Sequence, residues 1–230
     1  MPPRGPVQEL PGKGDDRVVV IGASWGGLNA LTIIVAGLAR DFVTPVVVVQ
    51  HRAKESDGLL AELLQDHTHL RVCEVDDKQP VAASHVYIAP PDYHLLLDDG
   101  HFSLSTEAAV RFSRPSIDVT LISAADAYHD RAVGVVLTGA NDDGSRGLRH
   151  LVDRGGYAIV QHPDTAEVRT MPAAAQRALS GVPAGQWELT PLREIPDRLT
   201  ALLTHAAARD ARLRGPGVGP GASPMRGRAT

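Results

Sequence analysis

At 230 residues, with 43% hydrophobic and 22% charged residues, the chain is long enough for one sizeable α/β domain or two small ones. A formal net charge of −4 and a pI near 6.2 argue against a nucleic-acid binder, and no apolar run approaches the ~18 residues of a membrane span. A single cysteine, Cys73, excludes an internal disulfide framework and fits a reducing compartment. The N-terminus lacks the apolar centre of a signal peptide, so a cytoplasmic protein is expected.

Residues 1–16 are rich in Pro, Gly and charge and are expected to be disordered. The first strand is predicted at Val18–Ile21. It breaks into Gly22-Ala-Ser-Trp-Gly26, and helical spacing follows over Leu28–Leu38. Further strands are predicted at Val46–Val49 and Val72–Val75, with a helix over Leu59–Leu64 between them. Cys73 falls inside the second of these strands and reads as core. The stretch 84–104 is different. Val86–Ala89, Tyr93–Leu97 and His101–Leu104 lie close together, joined by Pro90-Pro-Asp92 and Asp98-Asp-Gly100. Asp-Gly between apolar runs is a hairpin signal, which predicts a small antiparallel insertion at a sheet edge. Helix Ile117–Tyr128, strand Ala132–Leu137, helix Gly147–Val152, strand Ala158–Val160 and helix Pro172–Leu179 follow, and Pro191–Ala208 closes as an amphipathic helix. The domain is thus expected to span 17–208. The remainder, 209–230, carries five Arg against one Asp among Gly and Pro and reads as a flexible tail. Short apolar strands alternating with helices indicate an α/β fold, a doubly wound and mostly parallel sheet with helices on both faces.

Gly22-x-Ser24-x-Gly26 has the spacing of a nucleophile elbow. There a serine is presented at a sharp strand-to-helix turn beside the N–H groups of the new helix. A glycine-rich turn after a first strand equally suits a phosphate. However, Trp25 would crowd a pyrophosphate, and no acidic residue ends the second strand to hold a ribose. A serine hydroxyl needs a base, and ligands of open α/β sheets sit outside the carboxyl ends of the strands. His51 directly follows Pro45-Val-Val-Val-Val-Gln50, and Asp142 and Asp143 follow Val133-Gly-Val-Val-Leu-Thr138. Three strand ends thus offer Ser, His and Asp in that chain order, unlike the Ser, Asp, His order of lipases and esterases. Triads are defined by geometry rather than order. Asp143 has a second reading as a cap for the helix starting near Gly144. No set of histidines has clear metal-ligand spacing, so neither metal nor cofactor is expected.

Six ordered blocks give this pattern a likeness. They are Val20-Ile-Gly-Ala-Ser-Trp-Gly-Gly27, Val49-Gln-His51, Val86-Tyr-Ile-Ala-Pro-Pro-Asp-Tyr-His-Leu-Leu96, Arg114-Pro-Ser-Ile-Asp118, Gly134-Val-Val-Leu-Thr-Gly139 with Asp143-Gly144, and Met171-Pro-Ala-Ala174. From about 17 to 195 the chain resembles the catalytic domain of the chemotaxis protein-glutamate methylesterase, CheB. The resemblance implies a Ser24, His51, Asp143 triad and hydrolysis of γ-glutamyl methyl esters on the cytoplasmic helices of chemoreceptors. It also implies deamidation of particular receptor glutamines. Oxyanion donors are expected among the N–H groups of Trp25 to Gly27 and of the 139–141 loop. Arg114-Pro-Ser-Ile-Asp118 reads as a turn into a helix, a structural role, with Arg114 facing the substrate as its alternative reading.

The chain departs from the family at Gly139-Ala-Asn141, where Gly-Met-Gly is usual; Asn141 tolerates positive φ. It also departs at Leu28, where proline is usual, and at His162 and Arg169 on the rim. With the first strand near Arg17, no N-terminal receiver domain is expected, so regulation would fall to a partner acting in trans. The alternatives are a non-catalytic relative that binds receptors or a signalling partner, and a serine esterase for small esters.

Overall fold

Strands with valine or isoleucine at nearly every position need apolar cover on both faces, and the chain supplies it. The computed structural model describes residues 17–53, 59–98 and 100–214, with side chains as far as 204. The expected N-terminal segment 1–16 and residues 215–230 of the expected tail lie outside these described residues. In chain order the elements are β1 (Val18–Ala23), α1 (Gly27–Gly37), β2 (Val46–Gln50), α2 (Leu59–Gln65), β3 (Arg71–Glu74), β4 (His85–Ile88), β5 (His94–Asp98) and β6 (His101–Ser105). They continue as α3 (Ile117–Tyr128), β7 (Ala132–Val136), α4 (Ser145–Asp153), β8 (Tyr157–Gln161), α5 (Thr170–Ala178), β9 (Trp187–Thr190) and α6 (Ile195–Arg214).

Seven strands form one parallel sheet in the order β3-β4-β2-β1-β7-β8-β9. Alternate residues of each strand serve opposite faces. Val18 and Val20 of β1 join Leu121, Leu148 and Ala175 from α3, α4 and α5. Val19 and Ile21 join Leu31, Leu64 and Leu199 from α1, α2 and α6. Each such buried Val, Leu or Ile side chain contributes about 1.5–3 kcal/mol. The chain leaves β1 toward β2 on one side and returns to β7 on the other. The strand order therefore reverses at β1, which opens a crevice at its carboxyl end.

Three details differ from the sequence reading. The segment Val86–Ala89, grouped with the hairpin, contributes β4, a parallel strand between β3 and β2. Its proximity to the hairpin in sequence concealed that it pairs instead with β3, which precedes it in the chain, and with β2. The antiparallel pair is β5–β6 alone, and Asp99 in its turn lies outside the described residues. This hairpin packs on α3, where Thr120 Oγ1 donates to Leu95 O and Leu97 N–H donates to Ser123 Oγ. Second, Trp187–Thr190, which the apolar-run criterion missed, forms the half-buried edge strand β9. Third, α6 begins at Ile195 after a short turn at Leu192–Glu194 and runs to Arg214, past the boundary expected at 208. Cys73 is only partly buried against the core, and burial pushes its thiol pKa up.

Gly22 links this packing to the site. A Cβ there would lie 2.3 Å from Ile117 Cγ2. Gly22→Ala is therefore expected to lower stability by about 1–3 kcal/mol, the usual cost of overpacking. Adding Ile117→Ala should recover part of it. Urea denaturation of the single and double variants checks this.

Candidate active site

β1 ends at Ala23 and the chain turns into α1 through Gly26, whose φ is 76°. A side chain at Gly26 would also strike Glu167, and one at Gly27 would lie 1.9 Å from Gln50 Oε1. The glycines of the elbow are thus required by backbone conformation and by close approach. Ser24 sits on this turn. Its N–H donates to Thr138 O, and its carbonyl accepts from Gly27 N–H and Gln50 Nε2. Among the described residues its hydroxyl makes no hydrogen bond.

The sheet register brings the other two strand ends alongside. Ala23 pairs with Gln50, so Ser24 and His51 are the next residues on adjacent strands, and His51 N–H donates to Ala23 O at 3.0 Å. On the other side Gly22 pairs with Val136, which places Thr138 and the 139–144 loop beside Ser24. A Cβ at Gly139 would stand 3.0 Å from Ser24 Cβ and 2.5 Å from Met171 Cε, so the loop comes this close only as glycine.

His51 Nε2 lies 2.8 Å from Asp143 Oδ2. Asp143 is fully buried and sits at the N-terminus of α3. Its Oδ1 accepts from Ser116 Oγ and from the N–H groups of Asp118 and Gly144, and its Oδ2 accepts from Ile117 N–H as well as from His51. Burial by itself would push this carboxyl's pKa up. The bond to His51 and the N–H groups of Asp118 and Ile117 outweigh that and hold it below the ordinary carboxylate range. The partial positive end of α3 acts in the same sense. Nε2 is thus the imidazole nitrogen that meets the carboxylate, whereas in the chymotrypsin-type template the aspartate meets Nδ1.

Beside His51 opens a cleft of about 430 Å³ lined by Arg52, Asp92, Phe112, Ser113, Arg114 and Pro115. Among the described residues no group of three or more His, Cys, Asp or Glu side chains is placed to hold a metal. No helix is long and apolar enough to cross a membrane.

The sequence model of the CheB methylesterase family matches residues 19–199. The chain belongs to the CheB methylesterase family. A Leptospira interrogans protein, provisionally named protein-glutamate methylesterase/protein-glutamine glutaminase, is 44% identical over 165 residues, covering 71% of this chain and 86% of that one. The Anaeromyxobacter dehalogenans protein-glutamate methylesterase/protein-glutamine glutaminase 2 is 40% identical over 81% of this chain and 53% of its own. The Myxococcus xanthus protein-glutamate methylesterase FrzG is 38% identical over 69% and 48%. The crystal structure of the Thermotoga maritima CheB methylesterase catalytic domain superposes with a TM-score of 0.75 at 34% identity, covering 81% of this chain and 98% of that one. The chain thus spans most of the Leptospira relative and about half of the two others.

Within this CheB fold the three expected residues stand at the ends of β1, β2 and β7, with His51 and Asp143 in direct contact. Some expected oxyanion donors are already engaged, since Gly27 N–H donates to Ser24 O and Gly139 N–H to Val168 O. Among the described residues the N–H groups of Trp25, Gly26, Ala140 and Asn141 carry no hydrogen bond. Asn141 does not use a positive φ. Its Oδ1 instead accepts Asp143 N–H, an Asx-type turn that shapes the loop. Arg114, facing the substrate in its alternative reading, lines the cleft, but its donors are committed to Asp92, Thr106 O and Glu107 O. Leu28 and Trp25 are exposed on the rim, and Arg169 pairs with Asp164, whose N–H His162 caps.

Several supporting residues went unread in the sequence. Gln50 Nε2 donates to both Ser24 O and His51 O, clamping two strand ends together. Thr138 N–H donates to Gln161 Oε1, and Thr138 Oγ1 donates to Trp25 O, tying β7, β8 and the elbow. Buried His94 accepts Ser116 N–H on Nδ1 and binds Ala108 O through Nε2, steadying the start of α3. The signal for the two glutamines was present: each ends an otherwise apolar buried strand, where a polar residue must find partners.

Proposed function

We propose that the chain hydrolyses γ-glutamyl methyl esters on a protein substrate by acyl transfer through Ser24, and that chemoreceptor cytoplasmic helices are that substrate. The observation that carries the reading is the His51–Asp143 contact of 2.8 Å one register position from a serine on a glycine elbow. His51 Nδ1 takes the Ser24 proton as Oγ attacks the ester carbonyl. Asp143, held ionised by its donors, fixes the tautomer with the proton on Nε2 and stabilises the imidazolium that forms. The N–H of Trp25, the residue after the nucleophile, and that of Ala140 receive the oxyanion. As the C–O bond to the methoxy group breaks, Nδ1–H protonates that oxygen, and methanol leaves. Water, activated by the same nitrogen, releases glutamate from the glutamyl-serine intermediate. With a glutamine substrate the leaving group is ammonia and the rest is unchanged, so one constellation serves deamidation as well.

Proton transfer of this kind contributes about 10²–10⁴-fold. The test is methanol release from methyl-labelled receptor by the purified chain. Release is the expected result, and its absence overturns the reading. A p-nitrophenyl ester serves as the comparison: turnover far exceeding that of the receptor would indicate a small-ester esterase instead.

A further inference from the structure

Four of the seven large apolar side chains exposed among the described residues flank the reacting centre. Trp25 follows Ser24 on the elbow, and Leu28 lies in the first turn of α1. Tyr93 adjoins Asp92 of the cleft beside His51, and Phe112 lines that cleft. A lone apolar residue at a surface is ordinary, whereas several around one site mark an interaction face.

Phe112 is the extreme case. It is fully exposed, so the fold gains nothing by burying its ring, yet the backbone that carries it is tightly held. Val110 and Ser113 each donate N–H to the other's carbonyl, at 3.1 and 2.9 Å, which closes a two-residue turn. The central residues, Arg111 and Phe112, have φ of 50° and 64°. Turns of this form favour Asn-Gly, and bulky side chains are unfavourable there. Arg111 secures the turn by pairing with Asp142 of the catalytic loop, and its Nε lies 3.9 Å from an oxygen of buried Asp118. A strained tip tied to the catalytic loop, with its ring left in water, fits a contact completed only when a substrate binds.

The reaction indicates what arrives there. The ester belongs to a side chain of a polypeptide, so a carbonyl at Ser24 brings its flanking residues to the adjoining cleft. Phe112 has no polar group, and the donors of nearby Arg114 are committed within the protein. The contact on offer is therefore apolar, of the aromatic kind that dominates protein interfaces. We propose that Phe112 anchors the substrate polypeptide, its ring packing on an apolar side chain that flanks the esterified glutamate. On a helix that side chain stands three or four residues from the glutamate, on the same face. The proposal rests on the methylesterase reading for the identity of the substrate.

The test compares methanol release by the whole chain from a methyl-labelled receptor fragment and from a blocked single glutamate γ-methyl ester, which has the same reacting group and no flanking chain. The ratio of the two kcat/KM values is expected to fall about tenfold or more in Phe112→Ala, through KM for the fragment, and to be largely kept in Phe112→Tyr. A lower folded fraction scales both values and leaves the ratio alone. Phe112→Gly removes the same ring but suits φ of 64° better than alanine, so an equal fall in both variants assigns the effect to the ring. An unchanged ratio in Phe112→Ala, or one restored in Phe112→Gly, overturns the anchor. If the wild type releases no methanol from the fragment, the methylesterase reading fails separately. The anchor is then judged by fluorescence anisotropy of the fluorescein-labelled fragment on Ser24→Ala and Ser24→Ala/Phe112→Ala. Binding weakened about tenfold by loss of the ring supports it. Equal binding, or none to either variant, overturns it.

Discussion

Ser24→Ala is expected to lower methanol release by roughly 10⁴- to 10⁶-fold, the range seen when the nucleophile of a concerted catalytic unit is removed. Stability should change little. Among the described residues the Ser24 hydroxyl makes no hydrogen bond, and the contacts that fix the elbow come from its backbone. The fall is large because the rest of the site has no work to do without Oγ. His51 then has no proton to accept at the attack step, and the Trp25 and Ala140 N–H groups have no oxyanion to bind. Two measurements make the assignment sharp. Rapid-quench kinetics on the wild type should show a burst of methanol before steady state if the glutamyl-serine forms and accumulates. The variant should keep the wild-type unfolding midpoint while losing both burst and turnover. Activity within tenfold of wild type in Ser24→Ala would remove the serine from the chemistry. It would leave His51 activating water directly, which His51→Ala would then have to abolish.

The parts of this site visible in the sequence were those written in single residue types. Glycine at 22, 26 and 27 marks a turn that admits no side chain, and the apolar runs ending at Ile21, Val49 and Leu137 mark where strands stop. Parallel pairing then brings those ends together without further information. What the strand-end argument could not give was anything set by packing between distant segments. Ser116, Ile117 and Asp118 were legible as the start of a helix. Nothing in their spacing says that this helix points its N-terminus at Asp143, because that depends on where α3 packs across β1 and β7. The orientation of the imidazole was hidden for the same reason, since its choice of nitrogen follows from the position of Asp143. Misreading β4 as part of the hairpin had a related cause: a four-residue strand has neighbours chosen by topology, and its nearest apolar run in sequence belongs to another sheet. At Asn141 the residue type was read for the wrong property. Its backbone stays ordinary while its side chain closes the turn onto Asp143 N–H.

Asp143→Asn is expected to cost about 10⁴-fold in kcat, and the cradle around the carboxylate explains why. Both oxygens act only as acceptors: Oδ1 faces Ser116 Oγ–H and the N–H groups of Asp118 and Gly144, and Oδ2 faces Ile117 N–H and His51 Nε2–H. An asparagine must place its NH₂ on one of these positions. On the Oδ2 side it meets two donors. Ile117 N–H cannot turn away, but the imidazole can shift its proton from Nε2 to Nδ1 and accept through Nε2. That relieves the clash and ruins the base, because Nδ1 then carries a proton when Ser24 needs to give one up. On the Oδ1 side the amide meets three donors, two of them fixed backbone groups, so the Oδ2 placement is the less costly one and the inactive tautomer is favoured. The substitution should also reduce stability by about 1–3 kcal/mol for each buried donor left unpaired. Its pH dependence is a second signature. Because the folded pKa of Asp143 is depressed, its contribution is fully present above the unfolded value of about 3.9 and is lost as pH falls through the lower folded value. The wild type should therefore lose stability in that acid window, and Asp143→Asn should show a shallower slope there while starting less stable at neutral pH. Urea titrations from pH 3 to 7, read beside kcat at neutral pH, measure both effects. A variant with wild-type acid dependence and wild-type kcat would remove Asp143 from both its roles, as the ionised anchor of α3 and as the residue that sets the His51 tautomer.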